Sequence, residues 1–236
     1  MTTIALIHGA WHGAWCWDRL APLLHERGYH TVAPDLPCDD PTAGIPTYAD
    51  VVESALADAG AGPADDDVVL VGHSLGGLTV PVVASHRPVR RMVFLCSVPT
   101  GPGPALEGSM AEMVTPEFLA AARFHDTEGR EVLDNAAARE LFFHDCPDEE
   151  AWRAIALLRP QSPRPLTEPS PIEVWPEVPQ SVILAEDDRA VRSSWSRAAA
   201  RSRLGGAEPI LLPGSHSPFL SRPEDLASAL HRIITG

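Results

Sequence analysis

The chain reads as an α/β protein: a mostly parallel, doubly wound sheet carrying a small helical lid. Three observations predict this. Short apolar runs alternate with segments of helical spacing, one of those runs passes through a glycine-flanked serine into a helix, and one long stretch shows no strong strand. Alternation of that kind builds a parallel sheet with helices on both faces.

The elements follow in order. Residues 4–7, 68–71, 92–95, 182–184 and 210–212 are nearly unbroken apolar runs bounded by Gly, Pro or Asp, the pattern of strands covered on both faces. Residues 30–33 make a shorter sixth strand. Trp17, Leu20 and Leu24 share a helical face after the first strand, and Leu75, Leu78 and Val82 share another, in a helix that Pro81 is expected to bend. Leu226, Leu230, Ile233 and Ile234 mark a closing helix, expected to open on Ser221 and Glu224 as a capping box with Pro223 in its first turn. The stretch from about 98 to 178 breaks the alternation. It is rich in Pro, Ala and Glu, with helical fragments at 117–123 and 149–158, a polar turn at 123–130 and a Pro-rich exit over 160–179. Helices inserted between consecutive strands predict a lid, so a single domain over 1–236 with a lid at about 98–178 is expected.

Composition narrows the function. A chain of 236 residues with 44% apolar content can bury a full core. No apolar run approaches the roughly 20 residues of a membrane-spanning helix. Met1-Thr2-Thr3 carries no basic side chain and leads straight into the first strand, unlike a signal peptide, which predicts a cytoplasmic protein. Cys16, Cys38, Cys96 and Cys146 form no C-x-x-C pair and read as reduced structural thiols. The net charge of −14 repels phosphate backbones and anionic membrane surfaces, which argues against nucleic acid and membrane as partners.

The chemistry lies in a few places. Residues 68–71 run into Gly72-His73-Ser74-Leu75-Gly76-Gly77, a strand entering G-x-S-x-G and then a helix. A nucleophile exposed on so tight a turn needs neighbours without side chains. The helix beginning there aims its N-terminus at the site, and the Leu75 amide can donate to a developing oxyanion. A serine hydroxyl also needs a base, and the base an orienting acid. Downstream, one strand ends in Glu186-Asp187-Asp188, and the last is followed by Pro213-Gly214-Ser215-His216-Ser217. Both lie at the carboxyl edge of the sheet, where open α/β folds keep their sites. His216 is thus the base and the acidic turn supplies the acid. The loop after the first strand, His8-Gly9-Ala10-Trp11-His12-Gly13-Ala14-Trp15, should bring the second oxyanion donor, the Ala10 amide. Trp11 reads equally as pocket wall or core, and His73 as a pocket residue. His8 and His12 stand four apart but in a turn with no third ligand at suitable spacing, so no metal and no cofactor are expected. His25, His30, His86, His125, His144 and His231 read as solvated surface.

On these residues the chain resembles the α/β-hydrolase superfamily. More narrowly, it is similar to the branch of plant methylesterases, salicylate-binding esterases and hydroxynitrile lyases with their bacterial relatives. The opening segment His8 to Trp17, the elbow Gly72 to Gly77 and Gly214-Ser215-His216 carry the resemblance, which spans nearly the whole chain and is weakest in the lid. The family pattern places the acid at Asp188, 28 residues before His216, with Asp187 the alternative. Lyases of the branch carry Lys after the histidine, Thr at the first glycine of the opening motif, and Glu and Cys flanking the serine. Here those positions hold Ser217, Gly9, His73 and Leu75. The resemblance therefore implies a serine hydrolase that cleaves a carboxylic ester of a small, fairly apolar molecule through an acyl-enzyme. Two rivals stay open: a lyase or cyclase of natural-product metabolism on the same fold, and a non-catalytic small-molecule receptor.

Overall fold

The computed structural model describes residues 1–97, 101–103, 110–121, 123–203 and 208–236. Six parallel strands form the main sheet, in the order β2-β1-β3-β4-β7-β8: β1 Thr3–Ile7, β2 His30–Val32, β3 Val68–His73, β4 Arg91–Leu95, β7 Gln180–Ala185 and β8 Ile210–Leu212. All six expected strands are present. Successive side chains of a strand point to opposite faces, which explains why the runs are apolar throughout. Ile4, Leu6, Val69 and Val71 enter one core with Leu20 and Leu24 of α1 (Leu20–His25) and Leu226 and Leu230 of α11 (Pro223–Thr235). Ala5, Ile7, Val68 and Leu70 enter the other with Val52 and Leu56 of α2 (Ile45–Asp58) and Val80 and Val83 of α3 (Thr79–His86).

The order places β1 between β2 and β3, so the chain reverses direction across the sheet at β1. Loops leaving the carboxyl ends of β1 and β3 part there and open a crevice. The register sets Ile7 beside Gly72, His73 beside Leu95, Leu95 beside Ile183 and Ala185 beside Leu212. Residues that follow the four central strands and β8 therefore line up along one edge.

Between β4 and β7 lies the expected lid, whose first residues, 98–100, fall outside those described. It contains α4 (Met110–Met113), α5 (Pro116–Ala120), α6 (Asn135–Phe142), α7 (Asp148–Ala156) and α8 (Arg164–Thr167). Thr115 caps α5 and Asp134 caps α6 through their side-chain oxygens. The polar turn expected at 123–130 closes a small antiparallel hairpin of β5 (Arg123–His125) and β6 (Glu131–Leu133). Outside the lid, α9 (Ser193–Arg203) and α10 (Pro218–Ser221) complete the chain.

Two local expectations are corrected. No capping box opens the last helix: Ser221 ends α10, Arg222 takes the cap position without a side-chain bond, and Glu224 and Asp225 serve the helix dipole from the first turn. Pro81, expected within its helix, falls at its start. It sits in the first turn of α3, where its missing N–H costs nothing, and the change of pitch comes earlier, where a 3₁₀ turn over Ser74–Leu78 gives way to α-helix.

Candidate active site

Ser74 stands where β3 ends and the 3₁₀ turn begins, with φ of 49°, a left-handed conformation unusual for a residue bearing a side chain. Close packing enforces it. A Cβ on Gly76 would lie 2.5 Å from the His8 carbonyl oxygen, and one on Gly72 would lie 2.5 Å from Val80 Cγ2. The elbow thus presses directly against the end of β1. The Ser97 hydroxyl donates to the Ser74 carbonyl at 2.6 Å and braces the turn from β4.

His216 and Asp188 meet as the expected order of elements requires. Nδ1 of His216 donates to Asp188 Oδ2 at 2.8 Å, and both side chains are almost fully buried. Asp188 Oδ1 accepts the amides of Ala190 and Val191 at 2.8 and 2.9 Å, so the carboxylate is satisfied on both oxygens. Asp187 faces solvent, its carbonyl accepting from His144 Nε2 at 3.1 Å. Of the two acids, Asp188 is the one brought to the imidazole.

Cys96 sits close by, its sulfur within 4.8 Å of ligand-type atoms of Asp188 and His216. These three residue types suit a metal, but the imidazole and carboxylate are bonded to each other. Burial, with Asp188 beside it, also raises the Cys96 thiol well above its usual pKa and keeps it a poor ligand.

The loop after β1 is fixed by its own histidines. His8 Nδ1 donates to the Gly9 carbonyl at 2.9 Å while Nε2 accepts the Leu36 amide at 2.9 Å. His12 Nδ1 donates to the Ala10 carbonyl at 2.7 Å. These bonds set the tautomers, and burial drives the pKa down to about 4 for His8 and about 3 for His12. Both rings are neutral orienting groups, and each has its own backbone partner. The peptide carrying the Ala10 N–H is thereby held on its carbonyl side. Gly9 is required for the approach: a Cβ there would lie 2.8 Å from Ser74 Cβ.

Ser74, His216, Ala10, Leu75 and Trp11 all face one cavity of about 690 Å³, open mouth included. Its remaining walls are chiefly apolar, with Leu78 of the elbow and Met113, Val114, Phe118 and Phe142 of the lid among them. Trp11 is both pocket wall and core: it lines the cavity while packing against Phe118 and Phe142 at 6.1 and 5.9 Å between ring centres. The Arg123 guanidinium, also on the wall, bonds Glu131 at 3.1 Å and lies 4.4 Å over the Phe118 ring.

His73, expected on the pocket wall, does not line the cavity. It is fully buried behind His216, where its Nε2 donates to the His216 carbonyl at 3.0 Å and its ring packs 4.7 Å from that imidazole. A side chain at the second position of the elbow points under the turn, away from the mouth of the site. Desolvation, with His216 and His12 adjacent, pushes the His73 pKa well below its ordinary value. Ser217 is likewise buried and absent from the cavity wall. Sequence reading missed Ser97 and the bracing role of His73. A serine directly after a strand gives no local signal, and His73 has a motif position but no motif-level hint of direction.

The chain belongs to the alpha/beta hydrolase family, whose model matches residues 4–229. Among curated proteins it is 33% identical to a pyrethroid hydrolase of Sphingobium wenxiniae, over 98% of this chain and 86% of that one. It is 27% identical to Methylesterase 2 of Arabidopsis thaliana, over 97% and 94% of the two chains. Among solved structures it resembles a pyrethroid hydrolase of Sphingobium faniae JZ-2, with a TM-score of 0.83 and 32% identity over 99% of this chain and 97% of that one. The expected class, an esterase-type hydrolase, is the class of these relatives. No described helix is long and apolar enough to cross a membrane.

Proposed function

We propose that the protein hydrolyses a carboxylic ester of a small, uncharged, fairly apolar molecule through an acyl-enzyme. The observation that carries this reading is the convergence of Ser74 and His216 on one apolar cavity, with Asp188 bonded behind the imidazole. Ser74 Oγ attacks the ester carbonyl as His216 Nε2 takes its proton, and the imidazolium then delivers that proton to the departing alcohol. Water repeats the sequence on the acyl-enzyme, releasing the acid and restoring Ser74. Asp188 holds the imidazole in its working tautomer. The amides of Ala10 and Leu75 face the negative oxygen of each tetrahedral intermediate. Leu75 is the second residue of a helical turn, so its N–H has no intrahelical acceptor, and the Ala10 N–H donates to no described group. No step calls for a cofactor or a metal.

Preference for an uncharged substrate follows from the walls. Arg123 is engaged by Glu131, by the Phe118 carbonyl and by the Phe118 ring, so among the described residues the wall offers a substrate carboxylate no unpaired cation. Trp11 adds an aromatic face to the same pocket. Four buried, unpaired cysteines favour a reducing compartment, and a cytoplasmic location belongs to the same reading. A fluorophosphonate probe tests the core of the proposal, since only an activated hydroxyl reacts quickly. Peptide mapping should find label on Ser74 and none in Ser74→Ala. Label on another serine, or undiminished in that variant, would remove Ser74 from the mechanism.

A further inference from the structure

Next to the Ala10 amide, the backbone of Trp11 adopts φ of 61°. A bulky aromatic residue in the left-handed region is strained and persists only where its surroundings over-determine it. Here they do so from the far end of the lid. The Trp11 N–H donates to Gln161 Oε1 at 3.2 Å, the Trp11 carbonyl accepts the Arg159 amide at 2.8 Å, and the indole N–H donates to the Glu131 carbonyl at 3.0 Å.

Gln161 is itself held on every side and almost fully buried. Its Nε2 donates to the Tyr48 hydroxyl at 3.3 Å and to the Ser162 carbonyl at 2.8 Å, which leaves Oε1 as the group turned to Trp11. Its backbone exchanges two hydrogen bonds with Glu131, each of 2.8 Å. The peptide between Ala10 and Trp11 is thus gripped at both ends, by His12 on its carbonyl and by Gln161 on its N–H. Release of its Trp11 end would let the strained Trp11 φ relax and shift the Ala10 Cα, the hinge between this peptide and the Gly9–Ala10 peptide that carries the Ala10 N–H.

We propose that Gln161 is a positioning residue for catalysis: by holding the Trp11 amide through Oε1, it aims the Ala10 N–H at the oxyanion formed on Ser74. This rests on the esterase reading above. It makes the lid's exit segment part of the oxyanion machinery as well as a cover for the pocket. The requirement is for an acceptor at that point, and a side chain that only fills the space does not meet it.

Gln161→Met keeps the volume and removes the acceptor, whereas Gln161→Glu keeps an acceptor. With an aryl ester, Gln161→Met should lose about 10- to 100-fold in kcat with KM changed less than about threefold, the signature of an interaction realised in the transition state. A trifluoromethyl ketone, which forms a tetrahedral oxyanion adduct on the serine, should lose affinity by a similar factor, while the matching methyl ketone binds as before. Gln161→Glu should recover most of both losses. An unchanged kcat in Gln161→Met overturns the proposal, as does a loss carried by KM and thermal stability alone. Failure of Gln161→Met to fold, with Gln161→Glu folded but as inactive as an oxyanion-hole variant, overturns it too. Failure of the esterase reading looks different: the wild type itself would turn over no ester and leave Ser74 unlabelled.

Discussion

The sheet edge and the lid face the same cavity but are held in different ways. Along the edge, Trp11, Ser74 and Cys96 all have positive φ, and buried hydrogen bonds hold the groups beside them: His8 with Gly9 and Leu36, His216 with Asp188, Ser97 with Ser74. The lid meets the cavity with apolar side chains, several of them on or beside helices of four or five residues, and is tied down by partly exposed ion pairs such as Arg123–Glu131 and Arg189–Glu140. Strained backbone and buried hydrogen bonds tolerate little change. Apolar side chains on short helices can be exchanged at modest cost. On the proposed mechanism the edge decides whether chemistry occurs, and the lid decides on what.

The sharpest way to break this division is at the acid. Asp188→Asn should lower kcat by about 10⁴, because the imidazole loses the partner that sets its tautomer. Asp187→Asn, one residue away and solvent-exposed, should stay within a few-fold of wild type on the same ester. A reversed result would assign the role to the neighbour. A large loss in both would show that the whole turn acts as one unit.

Acid offers a second test of the edge. His8, His12 and His73 all have folded pKa values lowered from 6.5 by burial, to about 4 and about 3 for the first two. Unfolded, each binds a proton near pH 6.5, so between that value and the folded pKa the unfolded state holds more protons. Stability is complete above pH 6.5 and falls as pH drops through 6 toward 4, by about 1.4 kcal/mol per pH unit for each histidine. Urea midpoints at pH 7.5 and pH 5 should differ accordingly. Equal midpoints would mean that these rings are protonated or solvated in the folded state.

The lid carries the smallest effect. Phe118→Ala removes a wall of the cavity and the ring beneath Arg123, and reaches the edge through its packing on the Trp11 indole. The kcat/KM ratio between a bulky and a short-chain ester should shift by about tenfold, in the range of one hydrophobic contact. Turnover of an activated ester at saturation should change little. A collapse of kcat would blur the line between the two regions.

The same division governs what the sequence makes legible. The strands could be read because burial on both faces leaves no polar position in them, and Ser74 because its neighbours must be glycines within a few residues. His216 follows from its place after the last strand, and Asp188 from family spacing to it. The lid was readable only as an interruption. Its hairpin consists of two three-residue strands of mixed polar and apolar side chains, too short for an alternation to show. Gln161 meets Trp11 across 150 residues, and the Ser97 bond to Ser74 spans 23. Such partners follow from the packing of finished elements, so no local pattern announces them. His73 was visible but misdirected, because a motif fixes where a residue stands in the chain before it fixes which way the side chain points.

The central claim, ester hydrolysis by Ser74, is tested most directly by product. Wild type and Ser74→Ala are each incubated with a panel of short-chain aryl esters and methyl esters of aromatic acids, and separately with an aromatic cyanohydrin. Acid and cyanide release are then followed. The account predicts acid release that disappears in Ser74→Ala, and no cyanide release above the uncatalysed rate, since the described residues of the cavity wall present no unpaired cation to a departing cyanide. Enzymatic cyanide release without ester cleavage, or silence on every ester in the wild type, would contradict it.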